Sequence, residues 1–96
     1  MKNFSQNLGL CRKAGALAIG FNETIESAKR GKVSGILTAS DISQKTLKEV
    51  NFHAEKYKTE VINLPFGREE IGNAIGISAA VIAVTNENLY ILLKNS

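Results

Sequence analysis

Four short apolar runs, each separated from the next by a segment of helical spacing, restrict this chain more than any other feature. They lie at 16–19, 33–39, 60–64 and 81–84, and are rich in Val, Ile and Leu. Runs this short and this branched read as buried strands. Around them the period changes. Phe4, Leu8 and Cys11 fall at i, i+4 and i+7, and Leu47, Val50, Ala54 and Tyr57 recur at three, four and three residues. Both sets mark helices with one buried face. Strand and helix alternate to the end of the chain, which predicts an α/β fold: a three-layer α-β-α sandwich around a mixed sheet of about four strands, with helices on both faces. Residues 1–96 contain no repeat, linker or low-complexity stretch, so a single domain is expected.

The punctuation between these segments is specific. Gly20 stops the first apolar run and suits a positive φ, which also lets another backbone approach without a clashing Cβ. Asn22 then suits an N-cap, Ile25 and Ala28 give apolar helical spacing, Lys29 and Arg30 place cations in the last turn, and Gly31 supplies the stop. A helix start of this kind exposes unpaired N–H groups and the positive end of the dipole, where a phosphate or a polar base edge can be received. Asn22 and Glu23 sit there, so the functional stretch is placed at 20–32. An Asn cap followed by a first-turn Glu is also ordinary helix-start chemistry. Elsewhere Asp41 with Gln44 reads as a capping box for the third helix, with Ser43 as the other candidate cap. Gly76 ends a fourth helix, and Asn86 or Asn88 caps the last.

Composition excludes several classes. The single Cys11 rules out an internal disulfide framework and lies on an apolar helix face, where it packs rather than reacts. His53, the only histidine, has no acid or thiol partner at metal or triad spacing and reads as a half-buried helix residue. With no nucleophile–base pair, Walker lysine pattern or dinucleotide glycine pattern, neither an enzyme nor a cofactor or metal is expected. No apolar run is long enough to span a membrane, and the first residues lack the core of a secretory signal, so a cytoplasmic location is expected. The net charge of +3 is uneven. The first 32 residues hold six cations against two carboxylates, a net +4, and the remainder sums to −1. A local basic excess favours a polyanionic partner, and a solvated helix face has the same look. Arg12 and Lys13 share that ambiguity, as compensation for a helix dipole or as a phosphate contact.

Three motifs in order give a resemblance. They are Gly20-Phe21-Asn22-Glu23 followed a helix later by Lys29-Arg30-Gly31; Ala39-Ser40-Asp41 at a strand end; and Ala74-Ile75-Gly76-Ile77-Ser78 before the strand at 81–84. The chain resembles the kink-turn RNA-binding ribosomal protein family of archaeal and eukaryotic large subunits, and within it the small bacterial YlxQ type. The resemblance implies recognition of a bent RNA with tandem sheared G·A pairs, in a ribosome- or translation-associated role, by a monomer with no specificity for DNA and no membrane contact. It places RNA-binding residues at Gly20, Asn22, Glu23, Glu26, Lys29, Ile77, Ser78 and Ala79. Asn can donate to and accept from a purine edge, and Glu can accept from an exocyclic amino group. Two positions depart from the pattern. Glu26 stands where many relatives carry Lys, which exchanges an ion contact for repulsion that Lys29, three residues on, can offset. Ala79 stands where some relatives carry Arg. The alternative is a protein-interaction module on the same fold, docking through an apolar patch around Phe21 and Ile77.

Overall fold

The computed structural model describes residues 3–96. In chain order the elements are α1 (Phe4–Lys13), β1 (Leu17–Ile19), α2 (Phe21–Lys29), β2 (Gly35–Thr38), α3 (Gln44–Lys56), β3 (Val61–Asn63), α4 (Arg68–Ile75), β4 (Val81–Val84) and α5 (Glu87–Lys94). The strands form one sheet in the order β1-β4-β2-β3. β4 runs antiparallel to both neighbours, with Ile19 opposite Ile82 and Leu37 opposite Ile82 on its other side, while β2 and β3 are parallel. The sheet is therefore mixed, as the alternation predicts. Its two central strands are buried along their whole length, which is why they read as continuous apolar runs.

Alternate side chains of the central strands feed two cores. Leu37, Ile82 and Val84 meet Phe4, Leu8, Cys11, Ile71, Ile75 and Leu93 of α1, α4 and α5 on one face. Ile36 and Val81 meet Val50 and Ala54 of α3 on the other, with Phe21 of α2 packed against them. Helices thus cover both faces in three layers. Among the described residues no helix is long and apolar enough to cross a membrane.

One helix start differs from the expectation, and two others choose between the caps the sequence left open. α2 begins two residues earlier than an Asn22 cap would require: Gly20 is the N-cap, its carbonyl accepts from the Thr24 N–H at 3.0 Å, and Asn22 lies within the first turn. For α3 the cap is Ser43, whose side chain accepts from the Thr46 N–H at 3.1 Å. Asp41 does not join a capping box with Gln44. Its carboxylate accepts from the Arg68 N–H at 3.0 Å, and so caps the first amide of α4, 27 residues away. Asn86, not Asn88, caps α5 by accepting from the Leu89 N–H. Cys11 is fully buried, and burial pushes its thiol pKa up, in keeping with an inert packing residue.

Candidate functional site

The carboxyl ends of β1, β2 and β3 lie at the same edge of the sheet as the amino end of antiparallel β4, so four connections converge there. The first is the β1–α2 turn. The Gly20 N–H donates to the Val81 carbonyl at 2.8 Å, which extends the β1–β4 pairing by one bond, and the chain then turns at φ 97° and ψ 163°. That region is open only to glycine. A Cβ placed at Gly20 would meet nothing within 4 Å, so the demand for glycine is conformational and the outer side of the turn is open to an approaching molecule.

The turn sorts its neighbours between core and solvent. Phe21 points inward against the α3 core, its ring edge-on to His53 with centroids 6.1 Å apart. Asn22 and Glu23 are exposed. Because Gly20 has no side chain with which to cap α2, the first amides of that helix remain available beside them. One turn further, Glu26 and Lys29 pair across 3.8 Å with side chains 59% and 49% exposed. Such an exposed pair contributes little stability, but it cancels the two charges locally.

The second connection is the α4–β4 loop. Gly76 ends α4 in the left-handed conformation at φ 82°, and its N–H donates to the Gly72 carbonyl at 2.7 Å. Ile77 and Ser78 are then presented outward, Ile77 with 47% of its surface exposed. Ala79 turns the other way. It is 8% exposed and belongs to the core beneath α1, α4 and α5, so its methyl supports the loop from below while its neighbours form the surface. The Ala80 carbonyl accepts from the Ala39 N–H at 2.9 Å, which ties the loop to the end of β2.

Of the eight expected residues, Gly20 forms the β1–α2 turn, Asn22, Glu23, Glu26 and Lys29 lie exposed along α2, Ile77 and Ser78 lie exposed on the loop into the neighbouring strand β4, and Ala79 lies beneath that loop. Sequence reasoning missed two positioning contacts. Arg12 of α1 donates through Nη1 to the Ile75 carbonyl, holding the end of α4 from which the Ile77 loop departs. Asp41 holds the start of α4 through the Arg68 amide and an ion pair 3.7 Å from its guanidinium. Both partners are too distant in sequence for spacing to reveal, although Arg12 was already conspicuous as a basic residue at a helix end. His53 sits in an aromatic group, stacked on Tyr57 and edge-on to Phe21 and Phe52. Among the described residues no three His, Cys, Asp or Glu side chains cluster so as to hold a metal.

The structure is thus a small α-β-α sandwich that presents a polar turn and an apolar loop tip at one end of its sheet. The sequence matches the Ribosomal protein L7Ae/L30e/S12e/Gadd45 family over residues 2–92, and the chain belongs to that family. Among its relatives, the large ribosomal subunit protein eL30 of Eremothecium gossypii is 32% identical over 84 residues, which cover 88% of this chain and 80% of the relative. The eL30 protein of Saccharomyces cerevisiae is 29% identical over 75 residues, 78% of this chain and 71% of the relative. Two solved structures share the fold. A Bacillus halodurans protein of unknown function superposes with a TM-score of 0.91 at 24% identity, covering 99% of this chain and 96% of that one. A Giardia lamblia 15.5kD RNA binding protein superposes with a TM-score of 0.78 at 15% identity, covering 98% and 81%.

Proposed function

We propose that this protein is a non-enzymatic RNA-binding module that recognises a sharply bent, kink-turn-like RNA in a ribosome-associated, cytoplasmic role. The observation that carries the reading is the Gly20 turn: it is open on its outer side and sets exposed Asn22 and Glu23 beside the uncapped start of α2. Family membership supports it, as do relatives named as ribosomal proteins and a structural neighbour named as an RNA binding protein.

The side chains suit the task. The Asn22 amide donates and accepts at a purine edge, Glu23 accepts from exocyclic amino groups, and the α2 amides and dipole favour a crowded phosphate. Ile77 and Ser78 cover an unstacked base. Ala79 acts through them, since its own side chain is buried. Glu26 is held to Lys29, so the carboxylate that departs from the family pattern faces RNA as half of a neutral pair. The partner is structured RNA and the acting unit is a monomer of one domain, with no dependence on DNA or a membrane. A protein-docking patch over Phe21 and Ile77 has less to offer, because Phe21 is committed to the α3 core.

The test titrates wild type and the Asn22→Ala, Glu23→Ala double variant against a kink-turn RNA and the same RNA with its G·A pairs replaced by Watson–Crick pairs, at one salt concentration. Wild type is expected to prefer the kinked RNA by tenfold or more, a difference of about 1.4 kcal/mol. The double variant is expected to lose that preference while keeping its fold. Equal affinity of wild type for the two RNAs removes the kink-turn assignment.

A further inference from the structure

Outside the Gly20 turn, the most conspicuous unexplained feature is a groove between α1 and α4 of about 710 Å³. The two helices lie side by side, close enough that a Cβ at Gly9 would come within 3.0 Å of the Ala74 carbonyl oxygen. The outer rims of that contact form the groove. Its walls supply polar groups from Asn7 and Asn73, an exposed Leu10, and the cations Arg12 and Lys13, with no carboxylate among the lining residues. Lys13 is exposed, and among the described residues neither cation forms an ion pair. Arg12 spends one donor on the Ile75 carbonyl, and its guanidinium has further N–H groups to offer.

The groove is continuous with the proposed RNA surface. Arg12 Nη1 lies 3.9 Å from the place a Cβ would take at Gly76, the residue that opens the Ile77 loop. Arg12 and Lys13 thus stand at the end of the groove nearest that loop, with the Asn73 side chain on the facing wall, while Asn7 Nδ2 donates to the Ser96 hydroxyl at 2.7 Å. Glu70 lines the adjoining cleft at Ser5 and Ala74, so the carboxylate-free stretch is the end of the groove that carries Arg12 and Lys13, and a polyanion fits the charge there.

We propose that the α1–α4 groove is a second RNA contact, a track for the sugar–phosphate backbone that flanks the bent element, with Lys13 and Arg12 neutralising phosphates. The proposal rests on the RNA-binding reading above and adds affinity without sequence preference, since phosphate contacts position a complex rather than specify it.

Lys13→Gln is the informative variant, because Lys13 makes none of the contacts that hold the Ile77 loop. Wild type and Lys13→Gln are titrated against the kink-turn RNA with long flanking stems and against its Watson–Crick counterpart, across a salt series from about 50 to 200 mM, with amide shifts of α1 and α4 followed by NMR. One lost phosphate contact lowers the salt slope by about 0.9, so wild type should lose about 3.5-fold more affinity than the variant over that fourfold range. The preference for the kinked RNA should be the same in both proteins, and amides near Lys13 and Asn73 should shift on binding. If wild type discriminates between the RNAs but the slopes coincide and the groove amides stay still, the track is wrong while the Gly20 site stands. If wild type discriminates between neither RNA yet loses slope on Lys13→Gln, the kink-turn reading fails and the groove is a general phosphate site. Absence of RNA binding overturns both.

Discussion

Gly20 shows how a single residue sets the site. Its carbonyl starts α2, its N–H continues the β1–β4 ladder, and its backbone at φ 97°, ψ 163° makes the change of direction that faces Phe21 inward and leaves Asn22 and Glu23 in solvent. The need for a positive φ at this position was legible from an apolar run ending in glycine before a polar helix start. The misassigned cap has the same origin. Asn22 is a good cap by type, yet glycine one step ahead of Phe21 already satisfied the geometry, and this left the Asn amide without a structural duty. Substitution separates backbone demand from space, because neither Gly20 nor Gly31 would bring a Cβ within 4 Å of any neighbour. Gly31, at φ 69°, closes α2 with its N–H donating to the Ala28 carbonyl and the Lys32 N–H donating to that of Ser27, the hydrogen-bond pattern of an ordinary left-handed helix stop. Gly20→Ala is therefore expected to cost about 1–3 kcal/mol of stability and more than Gly31→Ala, read from denaturant midpoints. It should also weaken RNA binding as the turn relaxes. Equal costs at the two positions would show that the turn holds no special strain.

At the scale of elements, α1 and α4 carry the loop that presents Ile77, and their close approach is set by Gly9. Phe4 packs on Phe66 at one end, with ring centroids 5.6 Å apart, and Arg12 grips the Ile75 carbonyl at the other. The amphipathic spacing of each helix was legible. Their pairing was not, because it depends on residues some 60 positions apart in the chain and on a glycine whose importance lies in what faces it. In an exposed helix interior, replacing Gly by Ala stabilises by roughly 1 kcal/mol. At Gly9 the added methyl would lie 3.0 Å from a helix carbonyl that cannot swing aside like a side chain, so the helices must separate. Gly9→Ala is accordingly expected to destabilise by about 1 kcal/mol rather than stabilise, measured by chemical unfolding. A gain in stability would mean that α4 slides freely on α1, and the continuity between groove and loop would then be lost.

The whole molecule has two poles, and the sequence disclosed one of them. Alternating runs predict layers, but they leave open that the last strand, β4, inserts between β1 and β2, because strand order is decided by which faces close the core. That insertion brings the α2 start and the Ile77 loop onto one edge. At the opposite edge, Glu60 before β3 accepts from the Tyr90 hydroxyl and pairs with Lys94 at 3.1 Å, clasping α5 to the sheet. Gly35 makes room for this clasp, since a Cβ there would lie 2.1 Å from the Tyr90 ring. The Tyr90 hydrogen bond first, and then Lys94, hold the Glu60 carboxyl pKa below its ordinary value, while burial and then Glu60 push the Tyr90 pKa up. A lowered carboxyl pKa contributes stability that is complete above the unfolded value of about 4.3 and disappears as pH falls through the lower folded value. For Tyr90 the sign reverses: the contribution is complete below about 10 and is lost as pH rises through the raised folded value. Both are intact near neutrality. Denaturant midpoints of wild type should therefore decline below the ordinary carboxylate range, and Glu60→Gln should flatten that acid limb while preserving an acceptor for Tyr90. Because the clasp lies far from Gly20, the variant should bind RNA as wild type does at pH 7. An acid limb that is unchanged in Glu60→Gln would place the pH sensitivity elsewhere in the chain and remove Glu60 as the group whose protonation loosens the clasp.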